Sequence, residues 1–177
     1  MEEIQLIKKC KKNNRNAQKY LYDTYSPVLF GICIRYSDNI NDAEDILQEG
    51  FIKIFSYINN FEGKGSFEGW LKRIMVNTAI TFYHKNLKHR YHADIGEVQE
   101  VDFKYSNFSE SDFTQEELLN VIKKIPQGYK TVFNMYAIEG YKHKEIAEIL
   151  GIDVNTSKSQ YHRAKKAIQE RLKNYDK

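Results

Sequence analysis

Apolar residues recur at three- and four-residue steps along most of this chain and alternate at two-residue steps almost nowhere, which predicts helices throughout. Residues 3–25 read as an amphipathic helix with Ile4, Ile7, Ala17, Leu21 and Tyr25 toward a core. The KKCKKNNRN run inside it reads as a solvated face or a helix break at Asn13-Asn14, ahead of a polyanion contact. Pro27 is placed in the first turn of a second helix, where proline is tolerated, carrying Leu29, Phe30, Cys33, Ile34 and Tyr36 to about Ser37. A third helix is expected to take Asn41 as its cap and to load Asp42, Glu44 and Asp45 into its first turn, with Ala43, Leu47, Phe51, Ile54 and Ile58 buried. A loop with Gly63 and Gly65 follows, and Ser66 caps a long fourth helix whose stripe is Phe67, Leu71, Ile74, Thr78 and Phe82, with Met75 and Ala79 beside it.

The period is then lost over 91–113 and returns for four more helices. Thr114 and Glu117 form a capping box, Leu118, Val121, Ile122 and Ile125 fill a core face, and Pro126 ends that helix. Val132, Phe133, Tyr136 and Ala137 face inward on the next, which Gly140 closes. The stretch EIAEILGIDVNTSKSQYHRA has the pattern of a helix-turn-helix: small Ala147 at the crossing, and Gly151 at a sharp turn where φ is expected to be positive. Ile146, Ala147 and Leu150 pack its first helix; Ser157, Tyr161, Ala164 and Ile168 pack its second.

That phasing sets what is left for solvent. On the fourth helix the opposite face carries Trp70, Arg73, Asn77, Thr81, His84 and Lys88. From Gly69 to Ala93 there is no Asp or Glu, against Lys72, Arg73, Lys85, Lys88 and Arg90. An aromatic ring beside a basic track suits unstacked single strands, the ring for bases and the cations for phosphates; a solvated basic face with a core tryptophan is the plain alternative. On the last helix Thr156, Lys158, Ser159, His162, Arg163 and Lys166 lie away from the core, with side chains suited to phosphates and base edges of a major groove. On the third helix Asp42, Asp45 and Glu49 share a face. Like charges at i,i+4 cost a few tenths of a kcal/mol, which leaves two readings open, a basic protein partner or ordinary solubilising charge.

A hydrophobic share of 41% over 177 residues, with two prolines and nine glycines, fits compact helical cores. The formal charge of +3 is small, so nucleic-acid affinity has to come from where the charge sits. Over 94–117, Asp94, Glu97, Glu100, Asp102, Glu110, Asp112, Glu116 and Glu117 against Lys104 alone make the chain acidic. The expectation is an all-α chain of two small helical domains, 1–90 and 114–177, joined by an acidic flexible linker at 91–113. Cys10 and Cys33 have no metal spacing and fall at apolar-periodic positions, as buried free thiols do. No signal-peptide h-region and no window near the ~18–20 apolar residues of a membrane span is present, so a cytoplasmic protein without membrane insertion is expected. With no Walker loop, nucleophile elbow or CxxC pair, and His84, His89 and His92 off metal-pair spacing, neither an enzyme nor a metal or cofactor site is expected.

The order DAEDILQEGFIKIF, FEGKGSFEGWLKRIMVNTA, acidic linker, IPQGYKTVF, EIAEILGIDVNTSKSQYHRAKKAI resembles the extracytoplasmic-function (group 4) branch of the bacterial sigma-70 family, over about residues 10–172. The resemblance implies an initiation factor that binds core RNA polymerase and promoter DNA, with an anti-sigma factor as a candidate further partner. It places Asp42, Asp45, Gln48 and Glu49 where such proteins dock on a polymerase coiled coil. It places Phe61, Phe67, Trp70, Arg73, Asn77 and Lys85 where they melt the −10 element and capture a base. The second domain resembles the −35 reader, with Lys158, Ser159, His162 and Arg163 at the usual contact positions, Thr156 and Lys166 flanking them. Lys142, Ser157 and Lys130 depart from the family, which often has Ser or Thr, valine and arginine there. An ordinary helix-turn-helix regulator, or a polymerase-binding adaptor, would keep only part of this set of faces.

Overall fold

The computed structural model describes residues 2–90, 120–122 and 124–173, and every described element is helical. The chain divides into two compact units, Met1–Tyr83 and His84–Lys177.

In the first unit, α1 (Glu3–Lys11) and α2 (Arg15–Tyr36) replace the single helix expected over 3–25. The break comes where Asn13 takes a left-handed φ of 56°, a conformation asparagine tolerates better than most residues. Asn14 then restarts the chain, its Oδ1 accepting from the Ala17 N–H at 3.0 Å. Leu6 and Cys10 are buried while Ile4 is exposed, so α1 uses the other of its two apolar rows. Pro27 does not begin a helix: it lies inside α2, which runs through it. An interior proline costs about 3 kcal/mol relative to alanine, and packing of Leu21, Leu29, Ile32, Cys33 and Tyr36 on either side of it overrides that penalty.

The third helix, α3 (Ile40–Tyr57), starts earlier than expected. Its cap is Asn39, not Asn41: Asn39 Oδ1 accepts from the Asp42 N–H at 2.8 Å, and its Nδ2 donates to Asp42 Oδ2 at 3.0 Å. Glu44 and Asp45 therefore fall outside the first turn, and Asp42 alone meets the helix dipole there. A Cβ on Gly50 would sit 2.5 Å from Met75 Sδ, so this glycine leaves room for the Met75 thioether.

A 3₁₀ turn (Ile58–Asn60) and an exposed loop lead to α4 (Phe67–Arg90), capped by Ser66 Oγ, which accepts from the Gly69 N–H at 3.2 Å. Phe67, Leu71, Met75, Thr78 and Ala79 are buried as the period requires, and Thr78 Oγ1 donates to the Ile74 carbonyl at 2.9 Å. Ile74 and Phe82 are only half-buried, whereas Val76, Ile80 and Tyr83 form a second buried row. The helix is covered over a wider arc than one stripe.

In the second unit, residues 120–122 are helical, Pro126 caps α5 (Gln127–Phe133), and α6 (His143–Leu150) and α7 (Val154–Lys173) form the helix-turn-helix. Val121, Ile122 and Ile125 pack on Ala164 and Ile168. Between α5 and α6 the backbone makes a π turn over Asn134–Ile138, with the Glu139 N–H donating to the Asn134 carbonyl at 3.0 Å. This wider turn breaks the helical phase. Thr131, Val132, Asn134 and Met135 are buried, while Tyr136 and Ala137, expected inside, are exposed. Gly151 has the expected positive φ, 62°, and the Ile152 N–H closes the turn on the Ala147 carbonyl at 3.1 Å. Lys142 has no oxygen with which to cap α6, but Glu145 Oε2 accepts the Lys142 N–H at 2.7 Å, the half of a capping box that Glu145 can supply. The linker at 91–113, the Thr114/Glu117 box and Leu118 lie outside the described residues, as do the side chains of 86–90, Lys88 among them.

Candidate nucleic-acid interface

On α4, Arg73, Asn77, Thr81 and Lys85 are exposed at successive i,i+4 positions, and the helix side opposite them is core. Thr81 spends its hydroxyl on the Asn77 carbonyl at 2.8 Å, and Lys72 pairs with Glu68 at 2.6 Å. At the head of this edge Trp70 is half-buried. Its ring lies 5.9 Å from that of Phe67 with the planes 13° apart, and 5.4 Å from that of Phe61. Phe61 and Phe67, 5.1 Å apart, are themselves buried, with Tyr25 edge-on to Phe67 at 5.9 Å. Of the three rings grouped by the sequence reading, only Trp70 offers an open surface; the other two pack beneath it. Between them the loop 62–66 is exposed, with left-handed Gly63 (φ 76°) and Gly65 (φ 88°). The Lys11 ammonium donates to the Phe61 carbonyl at 2.7 Å where this loop begins, a contact that sequence periodicity gives no means of finding.

On α3, Asp45 and Gln48 are exposed and Asp42 and Glu49 half-buried. Glu49 is partnered by Lys53 at 2.8 Å, so the like-charged face is less costly than the isolated i,i+4 pair suggested. Ile52, 66% exposed, continues the same edge one turn on from Gln48. Its sequence signal was an apolar residue outside the buried stripe. Beside this edge a half-open hollow of about 330 Å³ lies between α2 and α3, lined by Pro27, Phe30, Glu44, Leu47 and Gln48.

On α7, Lys158, Ser159 and Lys166 are exposed, and Thr156, His162 and Arg163 half-buried. Ser159 Oγ donates to the Thr156 carbonyl at 3.0 Å, and Lys166 lies 3.8 Å from Glu170. Arg163 is steered by Tyr129: its Nη1 donates to the phenol oxygen at 3.3 Å, and its guanidinium stands 5.9 Å from the ring centre. Behind these residues Ser157 is fully buried, with Oγ 3.0 Å from Nδ1 of His143. His143 stacks on Tyr136 at 4.2 Å and meets Tyr161 edge-on at 5.7 Å. Loss of water around the ring, and secondarily the charge of Lys158, push the His143 pKa down, keeping it neutral at pH 7. Burial likewise pushes the Cys33 thiol up to about 12 and raises that of Cys10, which makes both poor nucleophiles. Among the described residues no group of three His, Cys, Asp or Glu side chains is arranged to hold a metal, and no described helix is long and apolar enough to cross a membrane.

The family described as sigma-70 region 2 matches residues 21–88, and that described as sigma-70 region 4 matches residues 115–168. The chain is similar to the ECF RNA polymerase sigma factor SigW of Bacillus subtilis, at 32% identity over 94% of this chain and 95% of that one. It is also similar to the ECF RNA polymerase sigma-E factor of Haemophilus influenzae, at 27% identity over 94% and 93%. Among solved structures it is similar to the sigma factor RpoE of Bartonella quintana, crystallised with the anti-sigma factor NepR. That match has a TM-score of 0.49 and 21% identity, over 88% of this chain and 96% of that one.

Proposed function

The chain belongs to the extracytoplasmic-function branch of the sigma-70 family, and we propose that it performs promoter-specific initiation through the three faces described above. It is a sigma factor that directs transcription initiation by RNA polymerase; its partners are the core enzyme and promoter DNA. Its work on a chromosome places it in the cytoplasm, and an anti-sigma factor is the natural antagonist of its exposed faces.

In this reading residues 1–90 form the polymerase- and −10-binding domain, 91–113 an acidic connector and 114–177 the −35-binding domain. Asp42, Asp45, Gln48 and Glu49 present an acidic edge to a basic coiled coil of the core enzyme. Because the edge is exposed, its charges serve orientation and association rate more than affinity. Along α4, Trp70 stacks on an extruded −10 base, Asn77 reads a base edge through its amide, and Arg73 and Lys85 hold the neighbouring phosphates. Phe61 and Phe67 serve from beneath, fixing the indole. Unpairing a base costs a few kcal/mol, and stacking at about 1–3 kcal/mol per base offsets much of it. On α7, Lys158, Ser159 and His162 meet the −35 major groove, with Thr156, Arg163 and Lys166 at its phosphates.

The observation that carries the reading is the two-sidedness of α4: a row of Arg73, Asn77 and Lys85 in solvent on a helix whose other side is core. The test is capture of core RNA polymerase by the tagged protein, with an Asp45→Lys, Glu49→Lys double variant as control, followed by open-complex formation with Trp70→Ala. Capture by the wild type alone and loss of melting in Trp70→Ala are expected. Failure of the folded wild type to capture core that accepts another sigma factor would sink the reading.

A further inference from the structure

We infer that Lys11 is a positioning residue for promoter melting: by holding the Phe61 carbonyl from the end of α1, it sets the start of the 62–66 loop against Trp70. The inference rests on the assignment of the Trp70 edge to the −10 strand.

The loop has little with which to fix its own position, since the Glu62–Lys64 ion pair within it, at 2.7 Å, is solvent-exposed. All five of its residues are exposed, and its two glycines adopt left-handed conformations that leave the backbone soft. Its placement is therefore decided at its ends. At the far end Ser66 caps α4 and the Phe67 ring is buried, so that end is tied into the helix. At the near end the Phe61 ring is also buried, and its N–H donates to the Ile58 carbonyl at 3.2 Å. Neither contact holds the carbonyl of Phe61, where the chain leaves the buried ring and enters the loop. That carbonyl is the atom that accepts from Lys11 Nζ, at 2.7 Å and across fifty positions of sequence.

Lys11 differs from its neighbours in this respect. Lys8, Lys9 and Lys12 are exposed, whereas Lys11 is half-buried and directed at a carbonyl. In the KKCKKNNRN run the structure thus separates one structural cation from a set of solvated ones. A charged donor on a partly buried carbonyl is among the stronger hydrogen bonds available to a protein. The consequence falls on the indole: Trp70 packs on the Phe61 ring at 5.4 Å, so the peptide held by Lys11 belongs to the residue that supports the stacking platform.

The experiment uses the full-length protein, alone and in holoenzyme, as Lys11→Met, Lys11→Arg and Trp70→Ala. Lys11→Met keeps the stem and loses the donor; Lys11→Arg keeps a cationic donor. Trp70 is the sole tryptophan of the chain, so its emission reports the platform directly. Lys11→Met should red-shift Trp70 emission and increase its quenching by acrylamide, and lower holoenzyme affinity for a single-stranded −10 oligonucleotide by about tenfold. Core capture and the salt dependence of DNA binding should stay as in the wild type, and Lys11→Arg should restore both altered readouts. Unchanged emission and quenching in Lys11→Met would overturn the inference whatever becomes of the −10 assignment. So would a salt slope reduced by about one, the signature of a phosphate contact. Loss of strand binding in Trp70→Ala with none in Lys11→Met would overturn it too while leaving the −10 assignment standing. No loss in Trp70→Ala would remove the assignment and the inference with it. Should Lys11→Met not fold, Lys11→Gln, which shortens the reach and removes the charge, replaces it with the same expected direction.

Discussion

His143 and Ser157 meet across the helix-turn-helix, ring nitrogen to hydroxyl at 3.0 Å, tying the first residue of α6 to the first turn of α7. Ser157 is fully buried at a position where the family often has valine, and a buried hydroxyl needs a partner. His143 supplies it from the neighbouring helix. Each single change, Ser157→Val or His143→Phe, should lower unfolding free energy by about 1–2 kcal/mol, because it strands the other's polar atom. The double variant should lose clearly less than the sum. A denaturant double-mutant cycle gives the coupling, and strict additivity would show that the contact contributes nothing.

The pH dependence of stability follows from the same ring. Burial depresses the folded pKa of His143 below its ordinary value of 6.5, so between the two values the unfolded chain holds more protons than the folded one. Stability from this group is complete above about pH 6.5 and declines as pH falls through that window toward the folded pKa. Thermal unfolding of the wild type should therefore lose ground below that pH more steeply than that of His143→Phe. Parallel curves for the two proteins would count against the depressed pKa.

The start of α3 gives a test that separates two neighbouring asparagines. Asn39→Ala removes the side chain that caps the helix and should cost about 1 kcal/mol. Asn41→Ala, one position inside the helix and exposed, should be neutral or slightly stabilising, since alanine is the better helix former. Equal losses at both sites, measured by chemical denaturation, would contradict the observed cap.

Lys158 and Arg163 should fail in different ways. Lys158→Ala removes an exposed cation and is expected to weaken binding to −35 duplex, reduce its salt slope by about one, and leave stability unaltered. Arg163→Ala should weaken the duplex and also lower the unfolding temperature, because the guanidinium packs on Tyr129 as well as facing outward. Fluorescence anisotropy on a −35 duplex across salt concentrations, beside a thermal melt, tells the two apart.

By itself the sequence determined what depends on near neighbours: that the elements are helices, that Ser66 begins α4, that Gly151 bends the helix-turn-helix, and that Arg73, Asn77 and Thr81 line one edge. Each of these follows from a period or a cap within a few residues, which chain stereochemistry enforces wherever the segment sits. Where two local solutions were nearly equal, only the fold chose between them. In α1 the Ile4/Ile7 and Leu6/Cys10 rows are both apolar, and contact with the rest of the unit buried the second. Pro27 argued for a helix start, yet the core on both sides of it outweighed one missing hydrogen bond. Tyr136 and Ala137 were lost from the core because a π turn reset the phase that periodicity carries forward. Lys11 with Phe61 and His143 with Ser157 left no local trace at all, since a contact between distant residues carries no period; only the tertiary structure decided them.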